Sequence, residues 1–126
     1  MTFPFPIRKG YIYQVRDEIL RLPPEPEREV HETRRPFLIY SGDPTNNDQS
    51  YPVVSGFPLS KSTRYRTEFD VKLAAGEGNV SEKCWVRIHA LQPLLKTDLG
   101  DCGGKPLTPE RMEEIEAQLF RYLDAL

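Results

Sequence analysis

Three clusters in this sequence carry groups that can grip a phosphodiester. Arg34 and Arg35 end a charged stretch just before an apolar run; Ser60, Lys61, Ser62 and Thr63 follow a second run; Arg87 and His89 lie two residues apart in a third. A guanidinium presents a planar fork to phosphate oxygens, and an imidazole exchanges a proton near neutral pH. Each group also has an ordinary reading. An Arg-Arg pair beside a strand is commonly solvated, and His89 reads equally as a surface imidazole. The run Lys61–Arg66 (KSTRYR), which contains Arg64, is also what a polar strand entry looks like. His31, in a charged segment, reads as solvated. Cys84 reads as a small packed hydrophobe, and Trp85 as core or dimer contact rather than a stacking platform.

Other chemistries lack their residues. The chain has no Gly-rich phosphate loop between strand and helix, no HExxH and no GxSxG. Its carboxylates are scattered, and no pair stands out for acid–base work or metal binding. Cys84 and Cys102 have no CxxC spacing, so no metal site or cofactor is expected and both thiols are read as reduced.

The elements that must position these groups follow from punctuation by twelve prolines. Gly10 to Arg16 reads as a strand with Tyr11, Tyr13 and Val15 on one face. Residues 17–35 read as a long exposed loop, opened by a short helical turn over Asp17 to Leu22 and rich in proline and charge. Pro36 to Tyr40 (PFLIY) is continuously apolar, the pattern of a strand buried on both faces. After a turn-forming stretch, Tyr51 to Leu59 is a strand with a bend at Gly56 and Pro58. Arg64 to Leu73 alternates strictly and predicts a strand with Arg64, Arg66, Glu68, Asp70 and Lys72 facing out. Lys83 to Leu91 predicts another, with Arg87 and His89 on a shared face, ended by Pro93. A short helical turn over LLKTDL then precedes a helix over 108–126, capped by Thr108 with Pro109 in its first turn. Met112, Ile115, Leu119, Tyr122, Leu123 and Leu126 form its apolar stripe.

This order contains no βαβ alternation. It predicts a mainly β, single domain over 1–126: a small, strongly bent barrel of about five antiparallel strands with a helix packed across it. At 126 residues the chain can bury a core unaided. A net charge of −2 excludes bulk-charge binding to nucleic acid, so any such contact needs a local groove. No apolar run reaches the length of a membrane span, and the opening MTFPFPIRKG lacks a signal peptide's apolar centre; both predict a cytoplasmic protein.

The order and wording of the elements resemble the MazF/PemK toxins of bacterial toxin–antitoxin pairs, a branch of the CcdB/PemK-like, SH3-like barrels. KGYIYQV resembles the family's first strand. Arg35-Pro36 followed by Phe37 to Ser41 resembles its Arg-Pro and apolar strand ending in Ser, the most specific part of the match. Pro58-Leu59-Ser60 resembles Pro-Ile/Val-Thr, and LLKTDLG and the Leu-Thr-Pro-Glu opening of the last helix match in register. The likeness runs from about residue 8 to the end.

It implies a homodimeric, metal-independent endoribonuclease that cuts single-stranded RNA at short sequences and is blocked by a cognate antitoxin. The family's catalytic Arg falls on Arg35 and its hydroxyl residue on Ser60. An Arg and an Asp two apart on the fifth strand, used by some members, fall on Arg87 and His89; a loop His falls near His31. Arg34, Lys61, Arg64, His31 and Trp85 are the expected substrate contacts, with Trp85 offering a ring to splayed bases. The usual Asp-Gln is His89-Ala90 here, which makes His89 the proton carrier by residue type. Two other readings stay open: a gyrase-inhibiting toxin of the same fold, and a non-catalytic barrel that binds nucleic acid or protein.

Overall fold

The structure is a computed structural model, described over residues 6–22 and 34–125. Six strands and two α-helices make it up: β1 (Ile12–Arg16), β2 (Arg34–Ile39), α1 (Asp43–Asn46), β3 (Val53–Ser60), β4 (Val71–Leu73), β5 (Cys84–Val86), β6 (Gln92–Leu95) and α2 (Pro109–Leu123). All pairings are antiparallel, in the order β1-β2-β3-β5-β4, with β6 also on β3. The mainly β class with a C-terminal helix is therefore as the sequence predicts.

The continuous apolar run of β2 explains two cores. Successive side chains on a strand point to opposite faces. Leu38 accordingly enters one cluster with Phe57, Leu59, Val86 and α2's Ile115 and Leu119. Phe37 and Ile39 enter the other with Tyr13, Val15, Val54 and Leu94. Ile12 from β1 and Leu73 from β4 share the first cluster although their strands end the sheet order, so the sheet must curl around it.

β3 is the hinge of that curl. Its first half pairs with β6, its middle with β2 and its last two residues with β5. Gly56 makes this possible: a Cβ there would lie 1.9 Å from the Leu38 carbonyl oxygen and 2.8 Å from the Phe37 ring. Backbone cannot yield as a side chain tip can, so Gly56→Ala is expected to cost more than about 3 kcal/mol. Urea titration of the purified variant measures this, and a loss below about 1 kcal/mol would refute the close-approach argument.

The structure corrects several expected boundaries. The alternating stretch Arg64–Leu73 is a strand only from Val71. Upstream, hydroxyls and a carboxylate bind nearby backbone: Arg64 N–H donates to Ser62 Oγ at 3.3 Å, Phe69 N–H to Thr67 Oγ1 at 3.3 Å and Thr67 N–H to Asp70 at 3.1 Å. Such local bonds compete with a ladder. Asp70, expected to face out, has a fully buried side chain. The strand expected over Lys83–Leu91 stops at Val86 and gives way to a 3-10 turn at Ile88–Ala90, so Arg87 and His89 do not share a strand face. Pro93 does not end a strand but lies inside β6, which among the described residues pairs with β3 alone, so its other edge tolerates a residue without a donor. That accounts for six strands rather than five.

At the start of the expected exposed loop the short helical turn is present as a 3-10 turn over Asp17–Ile19, but Leu20 and Leu22 are buried rather than exposed. Arg34 and Arg35 belong to β2. The helix is as expected over Pro109–Leu123, with Thr108 Oγ1 accepting from Arg111 N–H at 3.2 Å. Of its apolar stripe only Ile115 and Leu119 are buried, while Tyr122 and Leu123 are exposed; Leu126 lies outside the described residues. No helix among the described residues is long and apolar enough to cross a membrane.

Candidate active site

A cleft of about 370 Å³ opens between the ends of β1, β2 and β3 and the loop before β5. Gln14, Arg35, Ser60, Lys61, Ser62 and Glu82 are among its lining residues. The antiparallel register explains the meeting. β1 and β2 set Val15 beside Arg35, and β2 and β3 set Phe37 beside Pro58, so the start of β2 and the end of β3 fall at the same end of the sheet.

Arg35 is held on two sides. Its Nε donates to the Asp17 carboxylate, and its Nη1 donates to the Leu59 carbonyl at 3.0 Å. The Asp17 side chain is fully buried and that of Arg35 only 15% exposed. A guanidinium clamped at Nε and Nη1 keeps a rigid plane and leaves Nη2 for an incoming anion. Asp17 was missed in the sequence because it stands just past a strand end, 18 residues from the Arg35 that it holds.

Ser60 is the second group in the cleft. Its side chain lies at the last position of β3, mostly buried, and Oγ accepts from Ser62 N–H at 3.2 Å. That bond uses a lone pair and leaves the hydroxyl proton to donate. Lys61 lines the cleft as well and pairs with Glu82 at 3.1 Å, both side chains being largely exposed. Such an exposed pair contributes little and yields readily to a phosphate. Cys84 also faces the cleft, but burial, reinforced by Glu77, pushes its thiol up to about 11. It is therefore neutral near pH 7 and no nucleophile.

Arg87 and His89 stand behind the cleft wall. Arg87 is 2% exposed; Nη1 donates to Asp70 Oδ2 at 2.8 Å and Nη2 to the Ser62 carbonyl. Asp70 also accepts from Thr67 and from Ile88 N–H, at 3.0 to 3.2 Å. Burial alone would raise its carboxyl, but nearby His89, Arg87 and the Thr67 N–H outweigh it and hold Asp70 at about 2. His89 Nδ1 lies 3.6 Å from Asp70 Oδ1, beyond hydrogen-bond reach, and is the buried side-chain polar atom left without a bond among the described residues. Asp70 is the other residue that sequence reasoning missed. The signal available was the Thr67-to-Asp70 spacing, which marks a local turn rather than a strand.

The remaining expected contacts are dispersed. Arg34 is exposed opposite Arg16 at the start of β2, and Arg64 is exposed against the Tyr65 ring. Trp85 does not offer an open ring: it is 4% exposed, paired in register with Ser60 and covered by the Arg66 guanidinium at 5.7 Å. The indole is spent on packing where a mid-strand residue has neighbours on both sides. His31 lies outside the described residues. Among the described residues, no three His, Cys, Asp or Glu side chains gather where they could share a metal ion.

Residues 15–123 match the family model described as PemK-like, MazF-like toxin of type II toxin–antitoxin system. Among solved structures, the chain is similar to an endoribonuclease in complex with its cognate antitoxin from a mycobacterial species, at 21% identity and TM-score 0.66, covering 100% of this chain and 98% of that one. It is also similar to the Mycobacterium tuberculosis toxin MazF-mt6 (15% identity, TM-score 0.69, 90% of this chain and 96% of that). A MazE–MazF structure from Deinococcus radiodurans aligns at 18% identity and TM-score 0.65, over 98% of this chain and 97% of that. No curated protein matches the sequence.

Proposed function

The chain belongs to the PemK-like, MazF-like toxins of type II toxin–antitoxin systems, and from that premise we propose that it is a metal-independent endoribonuclease cutting single-stranded RNA at specific short sequences. The observation that carries this reading is the Arg35 guanidinium, clamped by Asp17 and the Leu59 carbonyl at the wall of a cleft that also holds the Ser60 hydroxyl.

The chemistry uses the substrate's own nucleophile. The ribose 2′-oxygen bonds to the adjacent phosphorus, the bond from phosphorus to the 5′-oxygen breaks, and one proton passes in net from the 2′-oxygen to the 5′-oxygen. The products are a 2′,3′-cyclic phosphate and a 5′-OH end. Between them lies a phosphorane with concentrated negative charge. Arg35 stabilises that charge through a preorganised donor, and Ser60 adds a hydrogen bond to a non-bridging oxygen. Lys61 and the exposed Arg34 and Arg64 attract the flanking phosphates, which fits a protein with little net charge meeting RNA only in a groove. Arg87 sits too deep to touch phosphate. His89 is not among the residues lining the cleft, and this reading gives it no contact with the scissile bond.

The same reading makes the protein the toxin half of a pair, acting in the cytoplasm, forming a homodimer and blocked by a cognate antitoxin. Exposed apolar side chains at Tyr51, Leu91, Leu95 and Leu123 offer surface for such partners.

Purified protein incubated with long single-stranded RNA in EDTA is expected to give discrete cuts by primer extension. The downstream fragments should accept phosphate from polynucleotide kinase without prior dephosphorylation, as 5′-OH ends do. RNA left intact would refute the enzyme and leave the binding barrel or a gyrase-directed toxin.

A further inference from the structure

A continuous path of polar contacts runs from a buried carboxylate to the cleft. Asp70 accepts from Arg87 Nη1 at 2.8 Å, Arg87 Nη2 donates to the Ser62 carbonyl, and Ser62 N–H donates to Ser60 Oγ at 3.2 Å. The two ends differ sharply in surroundings. The Asp70 side chain is fully buried and fixed by Thr67 and Ile88 N–H as well, whereas Ser62 lies in an exposed segment. A serine hydroxyl rotates among three staggered wells, and an exposed loop does little to choose between them.

We propose that Asp70 and Arg87 are positioning residues: the buried pair anchors the Ser62 carbonyl and thereby residue Ser62, whose N–H, on the preceding peptide unit, donates to Ser60 Oγ and leaves the hydroxyl proton for the cleft. Neither touches substrate. Arg87 suits the task because its planar fork spans carboxylate and carbonyl at once, which a lysine's single ammonium does not reproduce. The burial of the pair supplies rigidity that the exposed loop lacks. This role rests on the ribonuclease reading for its consequence in catalysis, while the holding of Ser62 is a property of the protein alone.

The test uses the whole chain and two readouts. Asp70→Asn, Arg87→Lys and Ser60→Ala are prepared singly, with the Asp70→Asn/Ser60→Ala double variant, and each is checked for folding by circular dichroism. Asp70→Asn is expected to lower kcat for RNA cleavage about 10- to 100-fold with KM within about twofold, since small misplacements at a reacting centre cost that much. The double variant is expected to be no slower than Ser60→Ala, because the two changes remove one interaction. Losses that multiply would overturn the proposal.

The second readout needs no RNA. Hydrogen exchange at the Ser62 amide is expected to quicken at least about tenfold in Asp70→Asn and in Arg87→Lys under conditions of local opening. Exchange unchanged in either folded variant overturns the proposal. Arg87→Lys, which keeps a cation beside Asp70, answers the question if Asp70→Asn does not fold. If the wild-type protein leaves RNA intact, the ribonuclease reading falls, and Ser62 exchange alone then decides whether the pair holds the loop.

Discussion

Arg35→Ala is expected to slow RNA cleavage by at least about 10³-fold, the order lost when a preorganised cation is taken from a phosphoryl transition state. The loss should fall on kcat, because Lys61, Arg34 and Arg64 remain to hold the flanking phosphates. Arg35→Lys should recover little. An ammonium can pair with Asp17 or reach the cleft, whereas the guanidinium bonds to Asp17 and the Leu59 carbonyl and still presents a free edge. Removing Arg35 also strips its partner guanidinium from a fully buried carboxylate, so the variant should be less stable. Cleavage is therefore to be measured by single turnover well below the variant's melting temperature. A folded Arg35→Ala that cuts within tenfold of wild type would show that the transition-state charge is met elsewhere.

The second large effect is on stability. Arg87→Ala leaves Asp70 buried with its principal cation gone, and breaking such a pair costs about 3–5 kcal/mol. For a domain of this size that corresponds to a fall of roughly 10–20 °C in Tm. Acid should shrink the difference. The Asp70 carboxyl is held at about 2 when folded, below the ordinary carboxylate value. Its contribution is therefore complete above the unfolded pKa of about 4 and is lost as pH falls through about 2. In the variant the buried carboxyl protonates more readily, so its stability suffers less over the same descent. Urea midpoints of both proteins from pH 7 to pH 3 check this: the gap should narrow below about pH 4. A gap that is small at pH 7, or that widens in acid, would remove Arg87 as the anchor of this region.

Much of the architecture was written in local pattern. PFLIY announced a strand buried on both faces because every residue is apolar, and Phe37, Leu38 and Ile39 do divide between two cores. The terminal helix was legible from Thr108, Pro109 and the recurrence of Ile115 and Leu119, all of which act within a few residues of one another. Arg35 and Ser60 were legible only as phosphate-binding candidates near strand ends, and the family resemblance singled them out; the register of β1, β2 and β3 sets both on one cleft.

The tertiary structure alone decided what holds them. Asp17 reaches Arg35 across 18 residues and Asp70 reaches Arg87 across 17, and neither partnership leaves a periodic trace. Strict alternation even pointed the wrong way at Asp70: a charged residue two places from other charged residues reads as solvent-facing. Only the pull of a buried guanidinium and the turn made by Thr67 bring it inside. Pro93 within β6 likewise depends on a distant segment, the first half of β3. The chain fixed by itself the elements with short-range causes, namely period, cap and apolar run. Ion pairs, edge positions and covered rings depend on which distant segment arrives beside them, and that is settled when the sheet curls around Gly56.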